Sequence, residues 1–317
     1  MSANSSIAFL FPGQGSQAVG MGKDLYDKFP VAKGIFEEAD SALGYSITQL
    51  CFEGPEEKLK LTEITQPAIL TVSIAAQRVL AERGITPQFV AGHSLGEYSA
   101  HVCVGTLKFS DAVRLVRNRG KYMQDAVPVG VGAMAAILAL PIEKLQPVCE
   151  QAERETGQVV SPANVNSPDQ IVISGNKAAV ERAAELAKEA GAKRAVMLPV
   201  SAPFHCSLMK PAQDNLAKDL APAEFASPRV PVICNVDASV VSSGAVAREK
   251  LIQQVTGAVQ WVRSIEALVT SGVNTFIEVG PGKVLSGLMR QIDRSKTVLN
   301  IENSESLEKL LAQFAAA

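Results

Sequence analysis

The sequence predicts an α/β fold with a largely parallel sheet, on two observations. First, strand-like and helix-like segments alternate along almost the whole chain of 317 residues, the pattern of a sheet covered by helices. Second, residues 92–96 read Gly-His-Ser-Leu-Gly, between an apolar strand at 89–91 and a helix-compatible run at 97–103. A G-x-S-x-G pentapeptide in that context predicts a sharp strand-to-helix turn, with Ser94 presented as a nucleophile at the end of the sheet.

The segments before this turn fit the same layered fold. Residues 7–11 form a short apolar strand that ends at the glycine loop Gly13–Gly15. Residues 67–83 carry apolar side chains at helical spacing, with a proline near the start and Gly84 just beyond the end. These features predict a capped amphipathic helix over 67–83.

The middle of the chain has a different order of elements. We expect strands at 133–140, 159–163, 171–174 and 194–198, and helices at 142–154 and 178–190. The order β-α-β-β-α-β is that of a ferredoxin-like unit. We therefore predict a small subdomain over 131–199, inserted into a large α/β subdomain formed by 1–130 and 200–317. Three strands of the large subdomain are expected after the insertion, at 232–235, 275–279 and 297–300.

Composition excludes several classes of protein. The net charge of −2, with 47% hydrophobic and 20% charged residues, is ordinary for a globular enzyme and argues against a general nucleic-acid binder. The sequence has no apolar run of the roughly 20 residues needed to span a bilayer, and its start lacks the features of a signal peptide. We expect a cytoplasmic protein with no membrane contact. The five cysteines are scattered without a C-x-x-C spacing, so no metal site is expected.

A serine nucleophile needs a base, and the chain has only three histidines. His93 adjoins Ser94, and a sharp turn sends adjacent side chains in different directions. His101 lies two turns along the following helix and fits a packed position. His205 lies in a proline-punctuated irregular segment, where catalytic residues often collect. A lipase-like triad would place its histidine late in the chain, yet His205 is the last one and lies far from the C-terminus, which argues against an ordinary esterase.

Several longer motifs, in the same order, make the chain resemble one enzyme family, the malonyl-CoA:acyl-carrier-protein transacylases of bacterial type II fatty-acid synthesis. The matching segments are 11–17 (FPGQGSQ), 92–100 (GHSLGEYSA), 119–123 (RGKYM), 204–206 (FHC), 254–261 and 278–283 (EVGPGK). The resemblance covers essentially the whole chain. It implies a hydrolase-like large subdomain and a ferredoxin-like small one, with the active site between them.

The resemblance also implies roles for individual residues. Ser94 and His205 would be the catalytic pair, with the imidazole oriented by the backbone carbonyl of Gln254. The backbone N–H of Leu95, the residue after the nucleophile, would form half of the oxyanion hole. The backbone N–H of Gln14, in the glycine loop after the first strand, would supply the second donor.

Substrate-binding roles are implied in the same way. Arg119 would bind the malonyl carboxylate, since a planar guanidinium can do so with two hydrogen bonds. Met123 would line the acyl pocket, and Phe204 beside the base would leave little room for a 2-methyl group. Asn164 would add a polar contact. No cofactor is expected beyond the substrates malonyl-CoA and holo acyl carrier protein.

The expected partner is an acidic acyl carrier protein, so a local basic patch is expected despite the near-neutral net charge. Lys193 and Arg194 are the main candidates, with Lys283 and Arg290 as others. The protein is expected to be a monomer. Three alternatives remain open: a polyketide or malonate-pathway acyltransferase of the same chemistry, a serine thioesterase or hydrolase, and a non-catalytic carrier-docking module.

Overall fold

A computed structural model describes residues 6–200 and 202–315. In chain order the regular elements of these residues are β1 (Ser6–Phe11), α1 (Lys23–Lys28), α2 (Pro30–Leu43), α3 (Ile47–Glu53), α4 (Glu56–Leu59), α5 (Thr62–Glu82), β2 (Phe89–Gly92), α6 (Gly96–Cys103), α7 (Phe109–Asp125), β3 (Gly132–Leu138), α8 (Ile142–Thr156), β4 (Val160–Ser167), β5 (Gln170–Asn176), α9 (Lys177–Glu189), β6 (Arg194–Met197), a 3₁₀ turn (Ser207–Met209), α10 (Lys210–Leu220), β7 (Val232–Ile233), β8 (Val240–Val241), α11 (Gly244–Gln253), α12 (Trp261–Thr270), β9 (Val273–Val279), α13 (Val284–Ile292), β10 (Thr297–Ile301) and α14 (Ser304–Ala315).

The larger sheet is mostly parallel, as predicted. Its strand order is β10-β9-β1-β2-β7-β8, and the edge strand β8 alone runs antiparallel to its neighbour. β1 and β2 are adjacent and in register from Ala8 with Phe89 to Phe11 with Gly92. Because parallel neighbours end at the same edge, the glycine loop after β1 and the serine turn after β2 lie side by side.

The smaller sheet is antiparallel and has the order β4-β5-β3-β6. Its elements follow the predicted β-α-β-β-α-β order. Helices α8 and α9 pack on one face. The other face carries small and medium apolar side chains, among them Met134, Ala136 and Val172, and Phe204 of the returning chain packs against them. The α/β fold class with its ferredoxin-like part is confirmed.

The prediction of an amphipathic helix over 67–83 was wrong in two respects. Helix α5 begins at Thr62, so Pro67 lies inside it, and most of its length is buried on every side. It packs against α2 and α7 in the main core. Two of its buried polar residues, Thr65 and Thr71, donate hydrogen bonds to carbonyls of preceding residues. Hydroxyls that are satisfied within their own helix can be buried at little cost.

None of the helices in the described ranges is long and apolar enough to cross a membrane.

Candidate active site

The turn between β2 and α6 is built on close backbone contacts. A Cβ on Gly92 would lie 2.0 Å from the backbone of Gly96, and one on Gly96 would lie 2.1 Å from the carbonyl oxygen of Phe11. Both positions therefore require glycine. Ser94 at the apex has a φ of 52°, in the left-handed region that non-glycine residues rarely adopt. Its backbone N–H donates to Oδ1 of Asn235 over 2.7 Å.

Ser94 and His205 meet directly, although they are far apart in the sequence. Ser94 Oγ lies 2.8 Å from His205 Nε2. His205 Nδ1 lies 2.9 Å from the backbone oxygen of Gln254 and 3.1 Å from that of Gly257. Because a carbonyl only accepts, Nδ1 carries the ring proton and Nε2 is free to accept the hydroxyl proton of the serine.

The environment of His205 keeps its imidazole neutral. The ring is 3% exposed. Burial, assisted by the positive charge of Arg119, lowers the pKa of His205 to about 3. At neutral pH the ring is therefore ready to accept a proton.

Arg119 lies beside this pair and is 1% exposed. Its Nη2 donates to Ser94 Oγ over 3.1 Å and to Oε1 of Gln254 over 2.9 Å, and its Nη1 donates to Oε1 of Gln66 over 2.8 Å. Its Nε has no hydrogen-bond partner among the described residues. No carboxylate is hydrogen-bonded to this buried guanidinium within the same ranges, so it can receive an anion.

The two expected oxyanion donors lie on adjoining loops. A Cβ on Gly13 would lie 2.5 Å from the carbonyl oxygen of His93, which places the loop of Gln14 against the serine turn. Within 6–200 and 202–315, neither the N–H of Gln14 nor that of Leu95 has a hydrogen-bond acceptor. The side chain of Gln14 is exposed and makes one long contact, 3.5 Å from its Nε2 to Thr62 Oγ1.

A cavity of about 760 Å³ opens over these groups, between the two sheets. Its lining includes every side chain of the predicted substrate site: Arg119, Met123, Asn164 and Phe204. Met123 is 1% exposed and Asn164 7%. Gln254 does not line the cavity but lies behind it, fully buried.

The other two histidines do not contact the serine hydroxyl. His93 Nε2 bonds to Oδ1 of Asn166 on β4 over 2.8 Å, which ties the turn to the smaller sheet. Burial lowers the pKa of His93. His101 is fully buried, and neither ring nitrogen has a hydrogen-bond partner among the described residues. Burial lowers its pKa to about 3.

Sequence reasoning missed four side chains of this region: Gln66, Glu97, Asn166 and Asn235. Asn235 had a usable signal, because polar residues just after a strand of a parallel sheet collect at the same edge as the turn. Gln66 and Glu97 lie inside helices, where a polar residue ordinarily indicates a solvent face. Their burial depends on tertiary packing alone.

The described residues contain no group of three or more His, Cys, Asp or Glu side chains placed to hold a metal ion.

Comparison with known proteins gives consistent results. Residues 8–311 match the profile of the acyl transferase domain family. The chain is 52% identical over 304 residues to the malonyl CoA-acyl carrier protein transacylase of Bacillus subtilis (strain 168), covering 96% of each chain. It is 53% identical over 289 residues to that of Escherichia coli (strain K12), covering 91% of this chain and 93% of the relative.

Solved structures agree closely with the fold. The malonyl CoA-acyl carrier protein transacylase from Coxiella burnetii superposes with a TM-score of 0.94 at 47% identity, over 96% of both chains. A type II PKS acyl-carrier protein has been solved in complex with its malonyl-transacylase. The matched chain of that structure also has a TM-score of 0.94 and 47% identity, with 98% of this chain and 100% of that chain covered.

Proposed function

The chain belongs to the acyl transferase domain family and, within it, to the malonyl CoA-acyl carrier protein transacylases, and on this premise we propose that it moves a malonyl group from malonyl-CoA to the phosphopantetheine thiol of holo acyl carrier protein. One observation carries the proposal: a serine–histidine pair and a buried guanidinium open into the same cavity, and no carboxylate of the described ranges is hydrogen-bonded to that guanidinium. The pair supplies acyl transfer, and the guanidinium selects an acyl group that ends in a carboxylate.

The first half of the reaction forms a malonyl-serine ester. His205 Nε2 takes the proton of Ser94 as Oγ attacks the thioester carbonyl. The N–H groups of Leu95 and Gln14, which have no hydrogen-bond acceptor among the described residues, stabilise the oxyanion. The tetrahedral intermediate collapses, the carbon–sulfur bond breaks, and the coenzyme A thiolate leaves with the proton from His205.

Arg119 changes partner during this step. In the free enzyme its Nη2 donates to Ser94 Oγ. Acylation turns that oxygen into an ester oxygen, a poorer acceptor, and brings a carboxylate into the cavity. The malonyl carboxylate then accepts two parallel hydrogen bonds from Arg119. One comes from the Nη2 N–H that Ser94 Oγ releases, and the other from the Nη1 N–H that does not donate to Gln66. The acyl chain is then fixed at both ends.

Two backbone carbonyls orient the imidazole, in place of the aspartate of a Ser-His-Asp triad. They hold the Nδ1–H tautomer without adding a buried negative charge. A carboxylate in place of these carbonyls would compete with the malonyl carboxylate for Arg119. Neutral carbonyl acceptors at His205 therefore suit an anionic substrate.

In the second half the phosphopantetheine thiol attacks the ester, with His205 taking the thiol proton and returning it to Ser94. For docking of the acidic carrier we propose the exposed residues Lys193 and Arg194 at the open edge of the smaller sheet. Lys283 is a weaker candidate because it pairs with Glu302 at 3.2 Å. Because one chain supplies every group of the proposed site, we propose that a monomer is sufficient for activity.

A polyketide carrier protein is the second candidate acceptor. The observation in its favour is the 47% identity to a malonyl-transacylase solved with a type II PKS acyl-carrier protein. The chemistry at Ser94 is the same for both carriers.

The test is an intact-mass measurement after mixing the protein with malonyl-CoA, without a carrier. We expect one malonyl adduct per chain, none on Ser94→Ala, and loss of the adduct when holo acyl carrier protein is added, with the malonyl group recovered on the carrier. Ser99→Ala is the matched control, a buried serine on α6, the helix that follows the Ser94 turn. Steady release of coenzyme A without an adduct would make water the acceptor and favour the hydrolase alternative. Transfer by Ser94→Ala would favour the docking module.

The docking surface has a separate test. Reversing the charges of Lys193 and Arg194 is expected to raise the KM for the carrier protein and leave the KM for malonyl-CoA unchanged. An equal effect on both substrates would refute this location.

A further inference from the structure

A buried carboxylate that the proposed chemistry does not use lies directly behind the Ser94 turn. Glu97 is one helical turn after Ser94 on α6 and is fully buried. Its Oε2 accepts two hydrogen bonds, from the backbone N–H of Asn235 over 2.9 Å and from Nε2 of Gln254 over 2.8 Å. A buried carboxylate that costs several kcal/mol to desolvate needs a compensating role.

The two donors to Glu97 are the residues that hold the reacting groups. Oδ1 of Asn235 accepts a hydrogen bond from the backbone N–H of Ser94 over 2.7 Å. Nδ2 of the same side chain donates to the backbone oxygen of Gly92 over 2.7 Å. It therefore holds both sides of the strained turn.

Gln254 acts on the other half of the site. Its backbone oxygen accepts from His205 Nδ1, and its side-chain Nε2 donates to the backbone oxygen of Ser94 over 2.9 Å. Its Oε1 accepts from Arg119. The side chain and the carbonyl belong to one residue at the end of α11, so fixing the amide also fixes the carbonyl.

We propose that Glu97 is a positioning residue for the acyl transfer: one carboxylate oxygen, Oε2, anchors Gln254 and Asn235 together and thereby sets the geometry between His205 and Ser94. The inference rests on the proposed function.

In this proposal Glu97 acts through the position of Oε2, which accepts both hydrogen bonds, and the negative charge of the carboxylate is not required. Oε1 has no hydrogen-bond partner within the described ranges, and the nearest basic atom recorded, His101 Nε2, lies 4.0 Å away. The amide of Gln254 lies between Glu97 and Arg119, so the two charges attract each other through space without a direct hydrogen bond. Burial raises the pKa of Glu97 to about 7. A proton on the free Oε1 would leave Oε2 as a carbonyl acceptor for the same two donors.

Two conservative variants separate these possibilities. Glu97→Gln keeps an acceptor oxygen at the same reach and loses the charge, and its new amide N–H₂ would replace Oε1, which lies 4.0 Å from Nε2 of His101. Glu97→Asp keeps the charge but withdraws the oxygen by about 1.5 Å, one C–C bond. The readout is the rate constant and the amplitude of Ser94 malonylation in a single turnover. Ser99→Ala is the control, because it removes a buried hydroxyl of α6 that has no partner among the described residues.

We expect Glu97→Gln to acylate within about threefold of wild type, and Glu97→Asp to acylate about 100-fold more slowly, since a displacement near 1 Å costs about that factor. Both should reach full amplitude, with the KM for malonyl-CoA unchanged. Glu97→Asp at the wild-type rate, or slower acylation by Glu97→Gln than by Glu97→Asp, would overturn the inference. A reduced amplitude at an unchanged rate constant would show a merely structural role. Absence of any adduct on wild type would instead refute the proposed function.

Discussion

Replacing Arg119 by alanine is expected to change the choice of acyl group more than the capacity for acyl transfer. The guanidinium is almost completely buried, and its nearest side-chain contacts are the neutral oxygens of Ser94, Gln66 and Gln254. A malonyl carboxylate is thus the anion that the site lacks. An acetyl group leaves the buried charge unpaired, and this is the origin of the expected selectivity.

The magnitude follows from the geometry. Removing one partner of a buried, hydrogen-bonded charge pair costs about 2–5 kcal/mol. At about 1.4 kcal/mol per tenfold, the ratio of kcat/KM for malonyl-CoA to that for acetyl-CoA should fall roughly 30- to 4,000-fold. Two further effects of the substitution, a higher pKa for His205 and a lost hydrogen bond to Ser94 Oγ, act on both acyl donors. They cancel in the ratio.

The assay measures coenzyme A release and serine acylation with each acyl donor in separate reactions. Arg117→Ala is the matched control, since Arg117 lies on the same helix, is 41% exposed and pairs only loosely with Glu63 at 4.0 Å. It should leave the ratio unchanged. An equal loss of malonyl and acetyl transfer in Arg119→Ala would mean that the arginine supports the catalytic pair and does not bind the carboxylate.

Three further predictions concern the loop, the turn and the buried histidine. Gln14→Ala should keep kcat/KM within about threefold, because the backbone is the proposed donor; a loss above roughly 100-fold would assign the role to the side chain. Gly92→Ala should lower the free energy of unfolding, measured in urea, by about 3 kcal/mol, because its Cβ would overlap backbone atoms. Gly34→Ala is the control, because its Cβ would meet no described atom within 4 Å, and it should raise the free energy of unfolding by about 0.5–1 kcal/mol. A similar loss of stability in the two variants would contradict the steric reasoning. His101→Leu should stabilise the protein at pH 7 by about 1 kcal/mol, since neither ring nitrogen has a hydrogen-bond partner in the part of the chain that the structure describes. Because burial lowers the pKa of His101 from 6.5 to about 3, the stability of the wild type declines as the pH falls through this window, and the advantage of the leucine variant should grow there. A constant advantage between pH 7 and pH 4 would contradict that assignment.

The parts of the fold that are determined by residues close together in the sequence could be predicted from it. The turn at Ser94 was predicted from the two glycines of the pentapeptide, which its close backbone contacts require. The ferredoxin-like part was predicted from its β-α-β-β-α-β order of elements. Helix α5 was misjudged because its polar residues are buried by packing against α2 and α7, which no local pattern reports.

In the candidate site, too, local sequence patterns predict some residues and tertiary packing determines the others. The 2.8 Å contact between Ser94 and His205 joins residues separated by 111 positions, and spacing alone does not predict it. The G-x-S-x-G pentapeptide predicted Ser94, and the resemblance to a family implied His205 as its partner. The roles of Gln66 and Glu97 could not be predicted, because what a buried polar residue contributes depends on its partners in the folded chain. Asn235, just after a strand of the parallel sheet, had a positional signal that was not used.

Ser94 and His205 share an uncommon backbone conformation, with φ values of 52° and 58°. Left-handed geometry costs an L-residue about 1–2 kcal/mol relative to glycine, so at both positions the chemically useful side chain is a poor choice for the backbone. Selection for folding alone would remove both residues. Ser94→Gly is accordingly expected to be inactive and to unfold at a higher temperature than wild type. The residues that give this protein its activity therefore lower its thermal stability by a measurable amount.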